Sequence, residues 1–98
     1  MIQVFDNNDQ DYLEWLEKYA EGFVLNTRRR GDPEYIVLHR TTCPSIYKYS
    51  KIARPGSFTE MTYIKVCSDS LSELSTWAKN HGRNDGSFSK KCSKCKPL

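Results

Sequence analysis

The sequence predicts an α+β fold in which a small antiparallel sheet of about three strands is packed by two helices and followed by a pair of cysteines. Three observations lead there. Two stretches repeat apolar residues at helical spacing, three runs are rich in β-branched and aromatic residues, and the order is helix, strand, strand, strand, helix. A chain of 98 residues has the size of one domain, so residues 1–98 are read as a single unit with one core. A hydrophobic fraction of 38% makes that core thin, although 12% aromatic residues offset this with large areas per side chain.

The first helix is expected from Asp9 to Ala20. Leu13, Leu16 and Tyr19 or Ala20 recur at three and four, Trp15 lies beside them, acids fill the first turn, and Gly22 can supply a left-handed terminus. Phe23 to Thr27 and Tyr35 to His39 are β-rich runs around the turn signal Gly31-Asp32-Pro33, which reads as a hairpin with Arg28, Arg29 and Arg30 near its tip. Residues 44–60 lack clear periodicity. Pro44 can open a short helical turn through Ser45 to Tyr49, and Pro55-Gly56-Ser57 is a loop signal. Tyr63 to Cys67 alternates as a third strand. Ser70-Leu71-Ser72-Glu73 fits a capping box, opening a second helix from Leu71 to about Asn80, with Gly82 past its end. Both tryptophans, Trp15 and Trp77, are expected to face the sheet, and Arg83 to Ser89 to form a flexible polar loop.

The chemistry concentrates in two short segments. His39-Arg40-Thr41-Thr42-Cys43 is an H-x3-C at the end of a strand, and Cys92-Ser93-Lys94-Cys95 is a C-x2-C. Four soft donors in two pairs suit a tetrahedral zinc site, since the fold need only bring two loops together, and such a site would add binding free energy to a thin core. Cys67 offers an alternative ligand, because the four cysteines alone make an all-thiolate set. Its place in an alternating strand also suits a buried core thiol. Met1 to Asn8 carry no basic or long apolar stretch, so no signal peptide is read and the expected compartment is the cytoplasm, where thiols or metal ligands are favoured over disulfides. No window approaches a membrane span, and none is expected.

The formal net charge is +3, but its distribution says more. Acids gather in the first helix, whereas Arg28, Arg29 and Arg30 form one basic cluster and Lys90, Lys91, Lys94 and Lys96 another around the cysteine pair. Tyr47, Lys48, Tyr49, Lys51 and Arg54 interleave aromatics and cations as a single-strand binding surface does, and equally as a solvated loop does. His81 near the end of the second helix suits the helix dipole. No Ser-His-Asp order, glycine-rich phosphate loop or carboxylate pair beside a histidine stands out, so no enzymatic activity is expected.

The run Tyr35 to Cys43, then Tyr63 to Val66, a helix, and Lys91-Cys92-Ser93-Lys94-Cys95-Lys96-Pro97 resembles the Ada-type zinc-binding domain. That domain opens bacterial alkylation-response methyltransferases and, in shorter forms, lies beside nuclease domains. The resemblance covers residues 35–97. It implies zinc held by His39, Cys43, Cys92 and Cys95, as in the short forms whose first ligand is histidine. The methyltransferases repair DNA phosphotriesters through a zinc-bound cysteine in that first position. His39 cannot serve as that thiolate acceptor, so methyl transfer is not expected. Lys91 also replaces the usual proline, and Arg83 to Ser89 lengthen the linker.

The expectation is therefore a small, monomeric, non-catalytic zinc module that binds nucleic acid or tethers another protein to it. Arg28, Arg29, Arg30, Lys90, Lys91, Lys94 and Lys96 would contact phosphates. The alternative is a metal-free protein-interaction or structural domain whose basic patches only solubilise it. A redox C-x-x-C is less favoured, because such pairs open a helix after a strand and this one lies at the chain end.

Overall fold

Five strands form one sheet in the computed structural model, which describes residues 1–47 and 58–97. They are β1 (Gln3–Phe5), β2 (Phe23–Arg28), β3 (Ile36–Arg40), β4 (Tyr63–Ser68) and β5 (Lys90–Lys91), in the order β1-β4-β2-β3-β5. Among the described residues three helices accompany them: α1 (Asp9–Lys18), the single turn α2 (Pro44–Tyr47) and α3 (Leu71–Lys79). The α+β class matches the sequence reading, with five strands rather than three. β2 and β3 make the expected hairpin, with Leu25 opposite Leu38, and β4 pairs antiparallel to β2 with Leu25 opposite Val66.

Side-chain alternation along the strands divides the core in two. Phe5, Val24 and Cys67 pack with Tyr12, Trp15 and Leu16 of α1, whereas Leu25, Ile36, Leu38 and Val66 pack with Leu74 of α3. The two long helices thus cover opposite faces of the sheet. Trp15 belongs to the first cluster and Trp77 packs against the second.

The two unpredicted strands are too short to show a period. β1 is three residues paired to β4, and β5 is two lysines paired parallel to β3, held by backbone rather than by an apolar face. The Ser89 amide donates to the Ile36 carbonyl at 2.9 Å and the Cys92 amide to the Leu38 carbonyl at 2.9 Å. The preceding loop is packed where a flexible one was expected. Arg83 donates to the Pro33 carbonyl at 3.2 Å, Ser75 Oγ to the Gly86 carbonyl at 2.7 Å, and Phe88 lies against the second core cluster. Polar composition concealed these hydrogen bonds.

Helix ends follow local chemistry. The Asn8 side chain accepts from the Asp11 amide at 3.1 Å to start α1, which stops at Lys18, two residues before the expected end. Gly22 is not its left-handed terminus. A Cβ there would lie 3.1 Å from the Trp15 ring and 3.2 Å from the Ser68 carbonyl, so glycine permits close approach. Ser70 caps α3 as expected, its Oγ accepting from the Glu73 amide at 3.4 Å, but Glu73 takes the Ser68 hydroxyl at 2.6 Å. The capping box is half made.

A buried charged pair fastens residues 58–59 to the α1 face. Asp9 accepts from the Phe58 amide at 3.3 Å and the Thr59 amide at 2.7 Å, while Lys65 Nζ donates to the Phe58 carbonyl at 2.7 Å. Both side chains are buried, and the hydrogen bonds offset the cost of placing charge there. Among the described residues no helix is long and apolar enough to cross a membrane.

Candidate metal centre

β3 carries His39 to the edge of the α1 face, and the chain then turns so that Cys43 returns to the same point. Thr41 fixes the turn: its amide donates to the Gly22 carbonyl at 3.1 Å and its hydroxyl to the Ala20 carbonyl at 2.8 Å. The Cys43 amide closes on the Arg40 carbonyl at 3.0 Å, directly before α2. From the other side, β5 delivers Cys92 beside His39 through its pairing with β3.

The ligand atoms of His39, Cys43, Cys92 and Cys95 all lie within 4.8 Å of one another, and this cluster can hold a metal ion. Cys43 Sγ and Cys92 Sγ are 3.8 Å apart and both free of disulfides. A tetrahedron with Zn–S bonds of about 2.3 Å has S···S edges of about 3.8 Å, so the spacing fits thiolates around one ion. One imidazole and three sulfurs form a soft donor set consistent with zinc. Cys67 is not in the group. It is fully buried in the core, where burial pushes its thiol well above the usual range.

The surroundings prepare the donors unequally. Burial, with Lys65 adding to it, lowers His39 to about 4, leaving the imidazole neutral and its lone pair available at pH 7. Burial opposes ionisation of Cys92, yet the backbone N–H groups of Cys95 and Lys94, helped by the Cys43 and Cys95 thiols, bring it down to about 7. These amides turned toward sulfur are the knuckle geometry expected of C-x2-C. Burial pushes Cys95 up to about 11 despite the Arg40 amide, and the Cys43 and Cys92 thiols add to the rise. Lys96 takes a positive φ of 45°, which lets its amide donate to the Cys92 carbonyl at 3.0 Å and finish the turn.

Two supporting residues carry no signal in the sequence. Arg40 locks the knuckle to β3: its amide donates to Cys95 Sγ at 3.3 Å, its Nε to the Cys95 carbonyl at 3.1 Å and a terminal nitrogen to the Lys96 carbonyl at 3.1 Å. Ser45 Oγ stands 2.9 Å from Cys43 Sγ and 3.4 Å from His39 Nδ1, a position that orients ligands from outside the centre.

The basic residues separate into two groups. Lys90, Lys91, Lys94 and Lys96 are all exposed around the knuckle. The arginines lie at the other end of β3, roughly 13 Å away at the usual strand rise, and two have intramolecular roles. Arg28 sits over the Tyr35 ring at 4.8 Å and pairs with Asp32 at 3.8 Å. Arg29 donates to the Thr59 carbonyl at 2.6 Å and the Met61 carbonyl at 3.0 Å and pairs with Asp6. Arg30 is exposed. His81 Nδ1 donates to the Trp77 carbonyl at 2.7 Å, and its ring stacks on Trp77 at 3.8 Å. Of the aromatic-basic segment, Tyr47 ends α2, and Lys48, Tyr49, Lys51 and Arg54 lie outside the described residues. Comparison of the chain with protein families, curated proteins and solved structures finds no match.

Proposed function

We propose that this chain is a small non-catalytic zinc module of the short Ada type that works on nucleic acid, the zinc fixing a basic knuckle against the phosphate backbone. The observation that carries this reading is the cluster of one imidazole and three thiols within 4.8 Å. Four protein donors leave no open position on a tetrahedral ion, which is the pattern of structural zinc. The four exposed lysines around the knuckle support a polyanionic partner, as does the likeness of H-x3-C and C-x2-C to the Ada-type pattern. The arginine turn contributes less, because Arg28 and Arg29 are held within the chain.

The test is a titration of fluorescently labelled single-stranded and duplex DNA with the zinc-loaded chain across a range of salt concentrations. Binding should weaken with salt at a log–log slope of about −0.9 for each duplex phosphate contacted, and replacing Lys94 and Lys96 by alanine should flatten that slope. Zinc-loaded protein that shows no salt-dependent binding overturns the nucleic-acid reading and leaves an interaction or structural domain.

A further inference from the structure

The sheet face that bears His39 also holds a cleft of about 380 Å³, whose lining among the described residues includes Asn26, Tyr35, His39, Lys65, Lys90 and Lys94 and no carboxylate. Lys65 differs from the other two lysines in being only 3% exposed. Its ammonium donates to Asn26 Oδ1 at 2.8 Å and to the Phe58 carbonyl at 2.7 Å. An ammonium has three N–H donors, and the third makes no hydrogen bond to a described residue, the Tyr12 and Tyr63 rings lying 5.8 Å from the nitrogen. The nearest buried carboxylate does not absorb it, since Asp9 is engaged by the Phe58 amide, the Thr59 amide and the Thr59 hydroxyl at 2.6 Å. Both hydrogen-bond acceptors of Lys65 are neutral, so Asp9 compensates its charge only by proximity, and an anion in the cleft would complete its coordination.

We propose that this cleft binds a phosphoryl group, with Lys65 as its buried anchor and Lys90 and Lys94 at its mouth. Three ammonium groups with no carboxylate among them suit a phosphate dianion or a phosphodiester chain better than a single carboxylate, and lysine serves such groups as a compact point charge. The proposal builds on the nucleic-acid reading above and gives it a specific pocket beside the metal centre. Lys65, unlike the surface lysines, is held by two hydrogen bonds and therefore offers its remaining donor in a fixed direction.

The test follows the Lys65 side-chain resonances by NMR in the full zinc-loaded chain, titrated with inorganic phosphate and separately with a short single-stranded oligonucleotide. Both probes should shift these resonances saturably. Lys65→Met should raise the phosphate dissociation constant about tenfold or more, and the exposed Lys94→Ala about threefold. Should Lys65→Met fail to fold, Lys94→Ala and the Lys65 shifts carry the test. An oligonucleotide that binds with salt dependence while neither probe moves Lys65 overturns the cleft and spares the nucleic-acid reading. Phosphate that shifts Lys65 when the oligonucleotide does not bind supports the cleft as a site for free phosphate and overturns that reading.

Discussion

Cys43 Sγ and Cys92 Sγ stand 3.8 Å apart although 49 residues separate them, and this contact joins the end of the chain to the turn after β3. β5 contributes only two residues to the sheet, too few to hold that join by ladder hydrogen bonds alone. The centre and the β5 edge therefore stabilise each other.

Metal content follows from the donor set. Elemental analysis of protein purified without chelator should find one zinc per chain. His39→Ala and Cys92→Ala should lose it, whereas Cys67→Ala should keep it at a stability cost of about 1 kcal/mol from the core. Loss of zinc in Cys67→Ala with the fold intact would refute the assignment of ligands.

Chelation should release residues 89–97 before the rest of the fold. Hydrogen exchange should show the Ser89 and Cys92 amides losing protection, while amides of the β2–β4 ladder keep theirs. Uniform loss across both would mean that the metal supports the whole fold cooperatively.

Lys65 gives stability a distinctive pH dependence. Burial lowers its ammonium from an ordinary value of 10.5 to about 8. Between those values the unfolded chain binds more protons than the folded one, so stability rises with pH across that window; below pH 8 the full penalty of burying the charge is present. Relative to Lys65→Met, the wild type should gain about 1 kcal/mol between pH 8 and pH 9. Urea unfolding of both proteins at the two pH values measures the difference, and parallel curves would show that Lys65 has the same proton affinity in both states.

Gly82 should tolerate no side chain. Its φ is +104°, and an added Cβ would lie 2.7 Å from Pro33 Cβ, where the loop after α3 meets the hairpin turn. Gly82→Ala should cost about 2 kcal/mol, against about 1 kcal/mol for Gly31→Ala, which has positive φ but open space. Thermal denaturation of the two variants separates crowding from backbone strain.

Much of the architecture was legible locally. The helical repeats around Leu13 and Leu71, the β-rich runs and the Ser70 cap each act over a few residues, so their pattern survives in a linear reading. The two pairs His39–Cys43 and Cys92–Cys95 were legible for the same reason, because each is set by one short turn. Tertiary structure alone decided which sheet face each helix covers, that a Lys-Lys dipeptide forms a strand, and that Arg29 ties down residues 59–61 instead of reaching outward. It also decided that Cys67 lies in the core and that Lys65 is buried beside Asp9. These outcomes depend on partners distant in the chain, joined by backbone pairing and buried hydrogen bonds that leave no periodic trace in the sequence.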